Sequence, residues 1–415
     1  MKKVGILSLG CPRNLVDLEN FAGRLVKKGY SIVDIHKADV AVVNTCAFIK
    51  DAKAESIDAI LDLVELKKEG KLRKIIVSGC LVQRYKNILK KELPEIDAFI
   101  GAVSLNHSVD RFPISPKHYA YLKICESCTS ECSFCIIPKI KGKFSSIEIE
   151  PLIKRAKLLD KSGVKELNIV GQDTSSYGVE LYGSKKIPEL LRAILQNTKN
   201  IKWIRLLYLY PDIEVIKPLL DLMEEEPRIC KYIDLPIQHI NNRILKLMRR
   251  RTGKNDIIEI IELVRKQVPE AAIRTSLITG FPSESEKEFK ELLDFIEEVK
   301  FERLGVFTYS REEGTTAYNF KGQIPEKVKL ARLNAIMIRQ QEISREANRK
   351  MPGKLIDVLI DEPENSDYLG RSQFDAPEVD GMVYVKSGET LKPGDLVKVK
   401  INDILEYDLI GEVTK

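Results

Sequence analysis

Three cysteines on one short segment are the residues of this sequence most able to do chemistry. Cys128, Cys132 and Cys135 stand in CESCTSECSFCIIP, with three residues between the first two and two between the last two. Thiolates at this spacing on one loop can each bind one iron of a four-iron, four-sulfur cluster, which leaves the fourth iron without a protein ligand. A small molecule can chelate that open iron, so this loop set of cysteines favours catalysis over simple electron storage.

A zinc site is the alternative for the same segment, because Cys125 precedes the loop set and completes the pattern C-x2-C-x3-C-x2-C. The gap between the two pairs is much shorter than the roughly 15 to 20 residues of a zinc ribbon. Cys125 also falls at the end of a predicted strand, where its side chain is expected to face the core. The cluster is therefore the favoured interpretation.

A second set of three cysteines is visible only once strands have been predicted. Cys11, Cys46 and Cys80 follow the apolar runs GILSLG, VAVVNT and KIIVSG directly. Loops beyond the carboxyl ends of parallel strands share one crevice, so we expect this strand-end set to converge there. Gly10 and Gly79 fit tight turns in which the backbone passes close to a bulky group. Three buried apolar cysteines without a common role are the alternative.

The composition is that of an ordinary globular protein of 415 residues, long enough for two to four domains. Its 44% hydrophobic and 31% charged residues exclude a disordered chain, a collagen and a coiled coil. Eight cysteines are too few for a disulfide scaffold of this length, which predicts a reducing, cytoplasmic location. Cys230 has no partner in either set and is predicted to lie in the core. No apolar segment approaches the roughly 20 residues of a membrane span.

The alternation of apolar runs and helical periodicity predicts the elements that position the strand-end set. Strands are predicted at 4–9, 38–45 and 74–79, and helices at 14–28, 51–68 and 83–91. Strands that are apolar throughout and alternate with helices imply a parallel sheet covered on both faces. Residues 1–116 are therefore predicted to form a small α/β domain.

The rest of the chain divides into a second α/β region and an all-β region. Strands of the former are predicted at 120–124, 166–171, 203–210, 232–237, 273–280 and 302–310. Six βα units suit an incomplete, TIM-like (β/α)6 barrel better than an open sheet, although periodicity alone does not decide between them. This domain is predicted to span 117–349 and to end in a helix at 325–350. Strands at 355–361, 382–386, 396–402 and 405–413 then predict a small OB-like β-barrel in domain 350–415.

These segments resemble a known family. The loop CESCTSECSFCIIP, with six βα units behind it, resembles the radical S-adenosylmethionine (SAM) enzymes, and SLGCPRNLVDLE, VVNTCAFI and VSGCLVQRY resemble the amino-terminal domain of the methylthiotransferases. The resemblance covers essentially the whole chain, including GQDTSSYG, LPIQH, MRRRT, LITGFPSES and a terminal barrel like the TRAM domain. GRSQFDAPEVDG is similar to the RimO-type branch, which modifies a ribosomal protein.

The resemblance implies that all six cysteines of the two sets are metal ligands. The loop set would hold a catalytic 4Fe-4S cluster whose open iron binds the amino and carboxylate groups of SAM. The strand-end set would hold an auxiliary 4Fe-4S cluster whose open iron carries the sulfur to be transferred. Relatives have an acidic SAM-binding motif where this chain has Gln172 and Asp173, which makes both candidates for the SAM ammonium group.

Further candidates for SAM contacts lie at strand ends near the same mouth: Gln238, Thr275, Ser276 and Gly280. Gly280 would allow close approach to the adenine. For each polar candidate, a hydrogen bond within the strand ends is the alternative to a contact with SAM.

The implied reaction takes place at an unactivated carbon, and the sequence offers no convincing pair of nucleophile and base. A low-potential cluster can inject one electron into SAM, which releases methionine and a 5′-deoxyadenosyl radical that abstracts hydrogen. A second SAM would methylate the sulfur, as in the family. The expected substrate is the β-carbon of an aspartate in small-subunit ribosomal protein twelve. A low-potential electron donor such as ferredoxin or flavodoxin, and a sulfur source, would complete the reaction.

We expect the net charge of the carboxy-terminal domain to differ between family members that modify a protein and members that modify RNA. Residues 351–415 contain seven lysines and arginines against fourteen aspartates and glutamates, a charge of −7, whereas residues 1–350 carry +13. A module that grips RNA is expected to be basic. An acidic barrel instead favours a basic protein partner, with nucleic acid met only indirectly through the ribosome. A merely solvated acidic surface is the alternative.

Two other functions stay open. A transfer RNA adenosine methylthiotransferase is the first, and the segment ILKLMRRRTGK (244–254), interpreted as a basic helix, supports it. A solvated helix face explains that segment equally well. The second is a non-catalytic iron–sulfur or zinc protein that binds ribosomes.

Overall fold

The elements below come from a computed structural model, which describes residues 2–102 and 111–414. The helices are α1 (Pro12–Lys27), α2 (Lys50–Lys68), α3 (Cys80–Glu92), α4 (Ile137–Lys141), α5 (Ile149–Lys161), α6 (Val179–Tyr182), α7 (Ile187–Asn197), α8 (Ile213–Glu225), α9 (Asn242–Leu247), α10 (Lys254–Gln267), α11 (Glu286–Val299) and α12 (Glu326–Asn348). The strands are β1 (Lys3–Ser8), β2 (Ser31–Val33), β3 (Val40–Thr45), β4 (Lys74–Gly79), β5 (Ala98–Ile100), β6 (Tyr119–Lys123), β7 (Cys125–Glu126), β8 (Ser145–Ser146), β9 (Glu166–Val170), β10 (Trp203–Leu206), β11 (Tyr232–Asp234), β12 (Ala272–Thr279), β13 (Arg303–Thr308), β14 (Leu355–Glu364), β15 (Asp367–Ser372), β16 (Val383–Lys386), β17 (Leu396–Ile404) and β18 (Leu409–Val413).

The first five strands form a parallel sheet in the order β2-β1-β3-β4-β5, which we call the N-terminal sheet. Its central strands are apolar throughout because helices cover both of their faces, so Ala41, Val43, Ile75 and Val77 have no exposed surface. Pro12 lies in the first turn of α1, where its missing N–H leaves no hydrogen bond unmade. The predicted parallel α/β unit is confirmed.

Six parallel strands form the central barrel as two sheets, β6-β9-β10 and β11-β12-β13. An isolated parallel bridge joins Ile204 of β10 to Ile229, which lies just before β11 in the chain. The strands and their surrounding helices enclose the largest apolar core of the molecule. The predicted partial barrel is thus confirmed, but β10 and β11 end earlier than predicted. Beyond β10 the backbone of Tyr208 turns to φ +61°, and its N–H donates to the Asp234 carboxylate at 2.8 Å.

The last five strands form the terminal barrel, which closes in the order β14-β15-β16-β18-β17. Strand β15 is absent from the sequence prediction, although it pairs antiparallel with both β14 and β16. Its sequence, DYLGRS, lacks an apolar run because Leu369 is its only buried aliphatic residue, and Gly370, Arg371 and Ser372 are buried beside it. A Cβ at Gly370 would lie 2.7 Å from the Leu359 carbonyl oxygen, so glycine permits the close pairing of β14 and β15.

An ion-pair network anchors the terminal barrel on the central barrel. Arg371 bonds Glu166 of β9 at 2.6 Å and Asp361 of β14 at 2.7 Å. Glu166 also accepts a 2.8 Å hydrogen bond from Arg205 of β10, and neither of these two side chains has exposed surface. Such a buried group of charges is costly unless every partner is present, so it ties the two barrels in one arrangement.

The segment that follows β15 makes the same kind of contact. Asp375 pairs with Arg303 at 2.5 Å, and Asp380 pairs with Arg274 at 3.3 Å, both at the central barrel. The sequence analysis attributes the acidic residues of this domain to the binding of a basic partner protein. Asp375 and Asp380 instead form ion pairs with arginines of the same molecule. The acidic residues of this region that the structure shows as exposed are Glu362, Glu364, Glu378, Glu389, Asp403, Glu406 and Glu412.

No helix in the described parts of the chain combines the length and the apolar character needed to cross a membrane.

Candidate active site

The loop set lies between β7 and α4, at the carboxyl end of the central barrel. Cys128, Cys132 and Cys135 are free thiols of intermediate exposure. Burial raises the pKa of Cys128 to about 11 and that of Cys135 to about 12, and neighbouring thiols of the same set contribute to both shifts. The Cys135 backbone N–H donates to the Cys132 carbonyl at 3.0 Å, so these two cysteines share one tight turn.

Asp173 lies beside the loop set, as the resemblance implies. Its Oδ2 accepts hydrogen bonds from Thr129 at 3.0 Å and from Ser176 at 2.7 Å, and it lies 3.8 Å from the sulfur of Cys128. Its other oxygen, Oδ1, is buried and has no hydrogen-bond partner among the described residues. Gln172 also has a buried acceptor oxygen without a partner among the described residues, its Oε1, while its Nε2 donates to Glu126 at 2.8 Å. Two buried acceptors at this point are suited to a ligand with several N–H donors.

Two arginines that the sequence analysis placed on a basic helix are directed into this site instead. Helix α9 ends at Leu247, so the segment 248–253 is a turn, and the predicted helix over 244–254 is wrong. Arg250 donates to the Cys132 sulfur at 3.9 Å, and Arg251 pairs with Asp173 at 3.5 Å. Both guanidinium groups stack over the Tyr210 ring, at 4.1 and 4.5 Å from its centre. Arg250 is thus turned toward the loop set, whereas Arg249 and Arg251 keep exposed surface.

The strand-end set converges as predicted, and Asn14 connects its three loops. The Asn14 backbone N–H donates to the carbonyl of Cys11 at 2.9 Å, and its Oδ1 accepts from the Cys80 thiol at 3.8 Å. Its Nδ2 lies 3.4 Å from the carbonyl of Thr45, the residue before Cys46. Sequence reasoning missed Asn14, although its position three residues after Cys11 in the first turn of α1 was available as a signal.

The two predicted glycine turns of this set are confirmed. Gly10 has φ +86°, and a Cβ there would lie 2.7 Å from the Cβ of Cys46. Gly79 has φ +100°, and a Cβ there would lie 2.4 Å from Asn44 Oδ1 and 2.5 Å from the Thr45 carbonyl oxygen. Only glycine combines such a conformation with so little space. The following residue, Cys80, then begins α3.

A buried charge network joins the N-terminal sheet to the central barrel between the two cysteine sets. Lys123 of β6 bonds both Asp17 of α1 and Glu126 of β7, the latter at 2.8 Å. Lys141, at the end of α4, pairs with the same carboxylates at 3.2 and 3.3 Å. Two cations thus balance two anions. No sequence motif indicated this network, because its members lie on four separate elements.

The remaining SAM candidates differ in what their side chains contact. The Thr275 hydroxyl donates to the Leu235 carbonyl at 2.9 Å, which is the strand-end alternative stated above. Ser276 accepts a 3.3 Å hydrogen bond from Arg274. Gln238 has φ +72°, and its backbone bridges to β12.

Gly280 has φ +68°, and the group nearest to a Cβ there is the Lys329 side chain, at 2.3 Å. The close approach at this glycine is therefore made by α12.

The two cysteines outside the sets are buried, as predicted. Cys125 has no exposed surface, and Cys230 is 1% exposed within an apolar cluster that includes Trp203 and Tyr232. All eight cysteines are free thiols. Within the described residues, no three His, Cys, Asp or Glu side chains are grouped to hold one metal ion. A cubane needs a different arrangement, because each of its thiolates binds a different iron.

Comparison with known proteins assigns a family to this architecture. Family models match residues 3–101 (uncharacterized protein family UPF0004), 122–296 (Radical SAM superfamily) and 353–414 (TRAM domain). The chain is 47% identical over 441 residues to ribosomal protein uS12 methylthiotransferase RimO of Clostridioides difficile, covering 100% of this chain and 99% of that protein. It is 44% identical over 443 residues to the protein of the same name from Caldicellulosiruptor saccharolyticus, with 100% of both covered. The chain belongs to the RimO family.

Solved structures similar to this RimO-family chain support the fold alone, because their sequences are distant. The radical SAM methyltransferase TsrM from Kitasatospora setae, solved with cobalamin and a [4Fe-4S] cluster, matches with a TM-score of 0.53 at 13% identity, over 76% of this chain and 77% of that one. The cobalamin-dependent radical SAM enzyme OxsB matches with a TM-score of 0.53 at 13% identity, over 83% of this chain and 56% of that one.

The residues present fit two clusters and SAM. Each set offers three soft thiolate donors. Cys125 is fully buried and its thiol donates to the Asp173 carbonyl at 3.6 Å, and Cys230 is buried in an apolar cluster. The unpartnered acceptors of Gln172 and Asp173 fit the ammonium group of SAM beside the loop set. Thiols whose pKa values are raised by burial must release protons when they bind iron, so cluster assembly is expected to be pH-dependent.

Proposed function

We propose that this RimO-family enzyme inserts a methylthio group at the β-carbon of an aspartate in ribosomal protein uS12, with SAM as methyl donor and as radical source. Full-length relatives of that name at 44 to 47% identity support the substrate. The observation that carries the chemistry is the placement of two three-thiol sets at the same junction of the N-terminal sheet and the central barrel. The six cysteines are then the ligands of two 4Fe-4S clusters.

The chain's own part in this reaction is to bind, orient and exclude water. When bound, the clusters and SAM supply the electron, the radical and the sulfur. The loop set and Asp173 would hold SAM by its amino acid end, and Asn14 would keep the loops of the strand-end set in register. Reaction at an unactivated carbon needs this precise holding more than it needs an acid or a base, because orientation alone can contribute about 7 to 11 kcal/mol.

Two further partners follow from the same chemistry. We propose a low-potential electron donor, such as a ferredoxin or flavodoxin, because each SAM cleavage consumes one electron. A sulfur source is needed because the inserted sulfur leaves with the product. Eight free cysteines support action in a reducing compartment such as the cytoplasm.

The deciding experiment supplies the anaerobically reconstituted enzyme with SAM, a reductant and either uS12 or transfer RNA. We expect the mass of a methylthio group to be added to uS12 and not to the RNA. Modification of transfer RNA with unmodified protein would contradict the proposal. A protein that binds one or two zinc ions and no iron would contradict it as well.

Cysteine variants separate the two proposed clusters. Cys132→Ala should abolish SAM cleavage, because an incomplete loop set cannot present an open iron to SAM. Cys46→Ala should leave SAM cleavage in place and abolish sulfur insertion. Cys230→Ala is the matched control, since this cysteine lies in the core, and it should retain both reactions. Loss of SAM cleavage in Cys46→Ala with retention in Cys132→Ala would reverse the assignment.

A further inference from the structure

One segment after β13 contacts the neighbours of both cysteine sets, and we call it the bridging segment (residues 310–317, SREEGTTA). Its Glu312 is 2% exposed and pairs with two cations of the N-terminal domain, Lys53 at 2.6 Å and Arg84 at 2.8 Å. Ser310 donates to the other carboxylate oxygen at 2.8 Å. Burial raises the pKa of Glu312, but hydrogen bonds from Lys53 and Arg84 bring this pKa below its ordinary value, so the carboxylate is charged at pH 7.

Arg84 connects Glu312 to two cysteines of the strand-end set. It lies in α3 about one helical turn after Cys80, the residue at which this helix begins. Its Nη1 also donates to the carbonyl of Ala47 at 2.8 Å, and Ala47 directly follows Cys46. Its Nη2 donates to the backbone carbonyl of the residue after Glu312 at 2.6 Å. Arg84 therefore bonds the bridging segment twice and the loop of Cys46 once.

Lys53 makes the second connection to the strand-end set, through α2. In that helix the buried Ser56 hydroxyl accepts the Cys46 backbone N–H at 3.0 Å and donates to the Cys46 carbonyl at 3.1 Å. Lys53 and Ser56 are three residues apart, so they are neighbours on the surface of α2. The Glu312 carboxylate thus holds the helix that fixes Cys46 as well as the helix that begins with a cysteine of the same set.

The rest of the bridging segment is bonded to the loop set. The Ala317 backbone N–H donates to the carbonyl of Ser133, which lies between two cysteines of that set, at 2.8 Å. The Gly314 carbonyl accepts a 2.6 Å hydrogen bond from Lys139 of α4. A Cβ at Gly314 would lie 3.2 Å from the Cδ1 of Ile136, the residue after the last cysteine of the set. Residues 312–317 span at most about 18 Å when extended, so the segment limits how far apart its two anchoring points can lie.

We propose that the bridging segment sets the distance between the two clusters and that Glu312 is the positioning residue that holds it to the strand-end set. Insertion of sulfur at a carbon activated beside the loop set depends on that distance, since a misplacement of about 1 Å can cost roughly 100-fold in rate. The buried network of Lys123 and Lys141 joins the same two parts of the molecule elsewhere, so loss of Glu312 should alter the separation of the sets without releasing the N-terminal domain. This inference rests on the proposed function, because it requires both sets to bind clusters.

The test compares the full-length, anaerobically reconstituted Glu312→Gln variant with the unsubstituted protein by electron paramagnetic resonance. Two reduced clusters accelerate each other's spin relaxation, and this enhancement falls steeply with the distance between them. Glutamine keeps the size of the side chain but leaves Lys53 and Arg84 without their shared anion. We expect the full iron content and a several-fold smaller relaxation enhancement.

A second measurement follows the products when SAM, a reductant and uS12 are added. SAM cleavage needs only the loop set, so Glu312→Gln should still release 5′-deoxyadenosine. The amount of methylthio product formed per 5′-deoxyadenosine should fall several-fold, because the two sets are no longer held at the right separation.

Neighbouring and charge-retaining variants are the controls. Glu313→Gln changes the adjacent, exposed glutamate and should match the unsubstituted protein in both measurements. Arg84→Gln should reproduce the effect of Glu312→Gln from the opposite side of the contact, and Arg84→Lys should restore most of the relaxation enhancement. An equal change in Glu313→Gln and Glu312→Gln would overturn the inference. Equal losses of iron in Arg84→Gln and Arg84→Lys would also overturn it, because they would indicate a role in packing.

The resonance measurement uses no substrate, so its failure is distinct from that of the proposed function. An unchanged relaxation enhancement in a Glu312→Gln enzyme that modifies uS12 would overturn the role of the bridging segment alone. The expected decrease, in a protein whose unsubstituted form makes no methylthio product, would support the bridging segment and contradict the proposed function.

Discussion

His239 shows how burial sets the protonation state of a single side chain near the mouth of the barrel. It has no exposed surface, and its Nδ1 accepts a hydrogen bond from the Asn241 backbone at 3.0 Å. Its Nε2 is buried without a partner among the described residues. Burial lowers the pKa of His239 to about 4, so the imidazole is neutral at pH 7.

We predict that this histidine makes the stability of the protein depend on pH between 6.5 and 4.5. The folded pKa lies below the ordinary 6.5, so the unfolded chain binds more protons in this range. The stabilisation is complete above pH 6.5 and is lost as the pH falls, by about 2 to 3 kcal/mol at pH 4.5. His239→Asn, whose Oδ1 can still accept the Asn241 N–H, should abolish this part of the pH dependence of the free energy of unfolding. Denaturant unfolding at several pH values measures it.

The matched control is His36→Asn, at an exposed histidine of the N-terminal sheet, which should retain the pH dependence of the unsubstituted protein. Glu288 contributes to the pH dependence only near the lower end of this window, because its hydrogen bond with Arg243 lowers the pKa of its carboxyl from 4.5 to about 2. If the free energy of unfolding of His239→Asn depends on pH as it does in the unsubstituted protein, His239 is not the source of this pH dependence.

At the scale of the element, the strand-to-helix turns decide where the cysteines point. The chain turns from β4 into α3 at Gly79, the last residue of β4, whose backbone conformation with φ +100° and ψ −156° is open in practice only to glycine. The strand can therefore end and the helix begin at adjacent residues. Cys80 is thereby held on the first turn of α3, against Asn14.

We predict that Gly79→Ala destabilises the protein by about 3 kcal/mol or more, because backbone strain and overlap with Asn44 and Thr45 add together. The same variant should lose the iron of the strand-end set after anaerobic reconstitution. Gly29→Ala is the control: Gly29 also has a positive φ of +85°, but no atom lies within 4 Å of the added Cβ, so only about 1 to 2 kcal/mol of strain is expected. Equal unfolding midpoints for both variants would show that the crowding at Gly79 has no effect.

At the scale of the whole molecule, charged residues join the three parts of the chain as much as apolar ones do. The network of Asp17, Lys123, Glu126 and Lys141 joins the N-terminal sheet to the central barrel. Glu166 and its arginines join the central barrel to the terminal barrel. A cluster of apolar residues runs alongside, from Val16 of α1 to Ala376 of the terminal barrel. The terminal barrel is thus fixed on the central barrel by both ionic and apolar contacts.

We predict that Glu166→Gln destabilises the protein by about 3 to 5 kcal/mol, because it leaves Arg205 and Arg371 buried with too little negative charge. Asp357→Asn breaks the exposed pair with Lys398 in the same barrel and should cost at most about 1 kcal/mol. Urea unfolding midpoints measure both. Similar midpoints for the two variants would show that the buried network contributes no more than a surface pair.

Local pattern in the sequence was sufficient for the fold class and for the grouping of the cysteines. Apolar runs set the strands of the N-terminal sheet and the central barrel, and a cysteine at the end of each of three strands implied convergence because parallel strands share one carboxyl edge. Strand β15 was missed, since Gly370 and Arg371 are buried by partners that lie far away in the sequence. The basic helix over 244–254 was wrong for a related reason, because Arg250 is directed by Cys132 and Tyr210.

By itself, then, the sequence determined the three-part α/β, barrel and all-β organisation, the two sets of three thiols and the family resemblance. These depend on periodicity and spacing, which are local. Only the tertiary structure decided which charges face which partner: it turned Asp375 and Asp380 inward onto arginines and brought Lys141 onto Asp17 of α1. The physical reason is that an ionic contact leaves no periodic trace in the sequence, because its partners meet only when separate elements have packed.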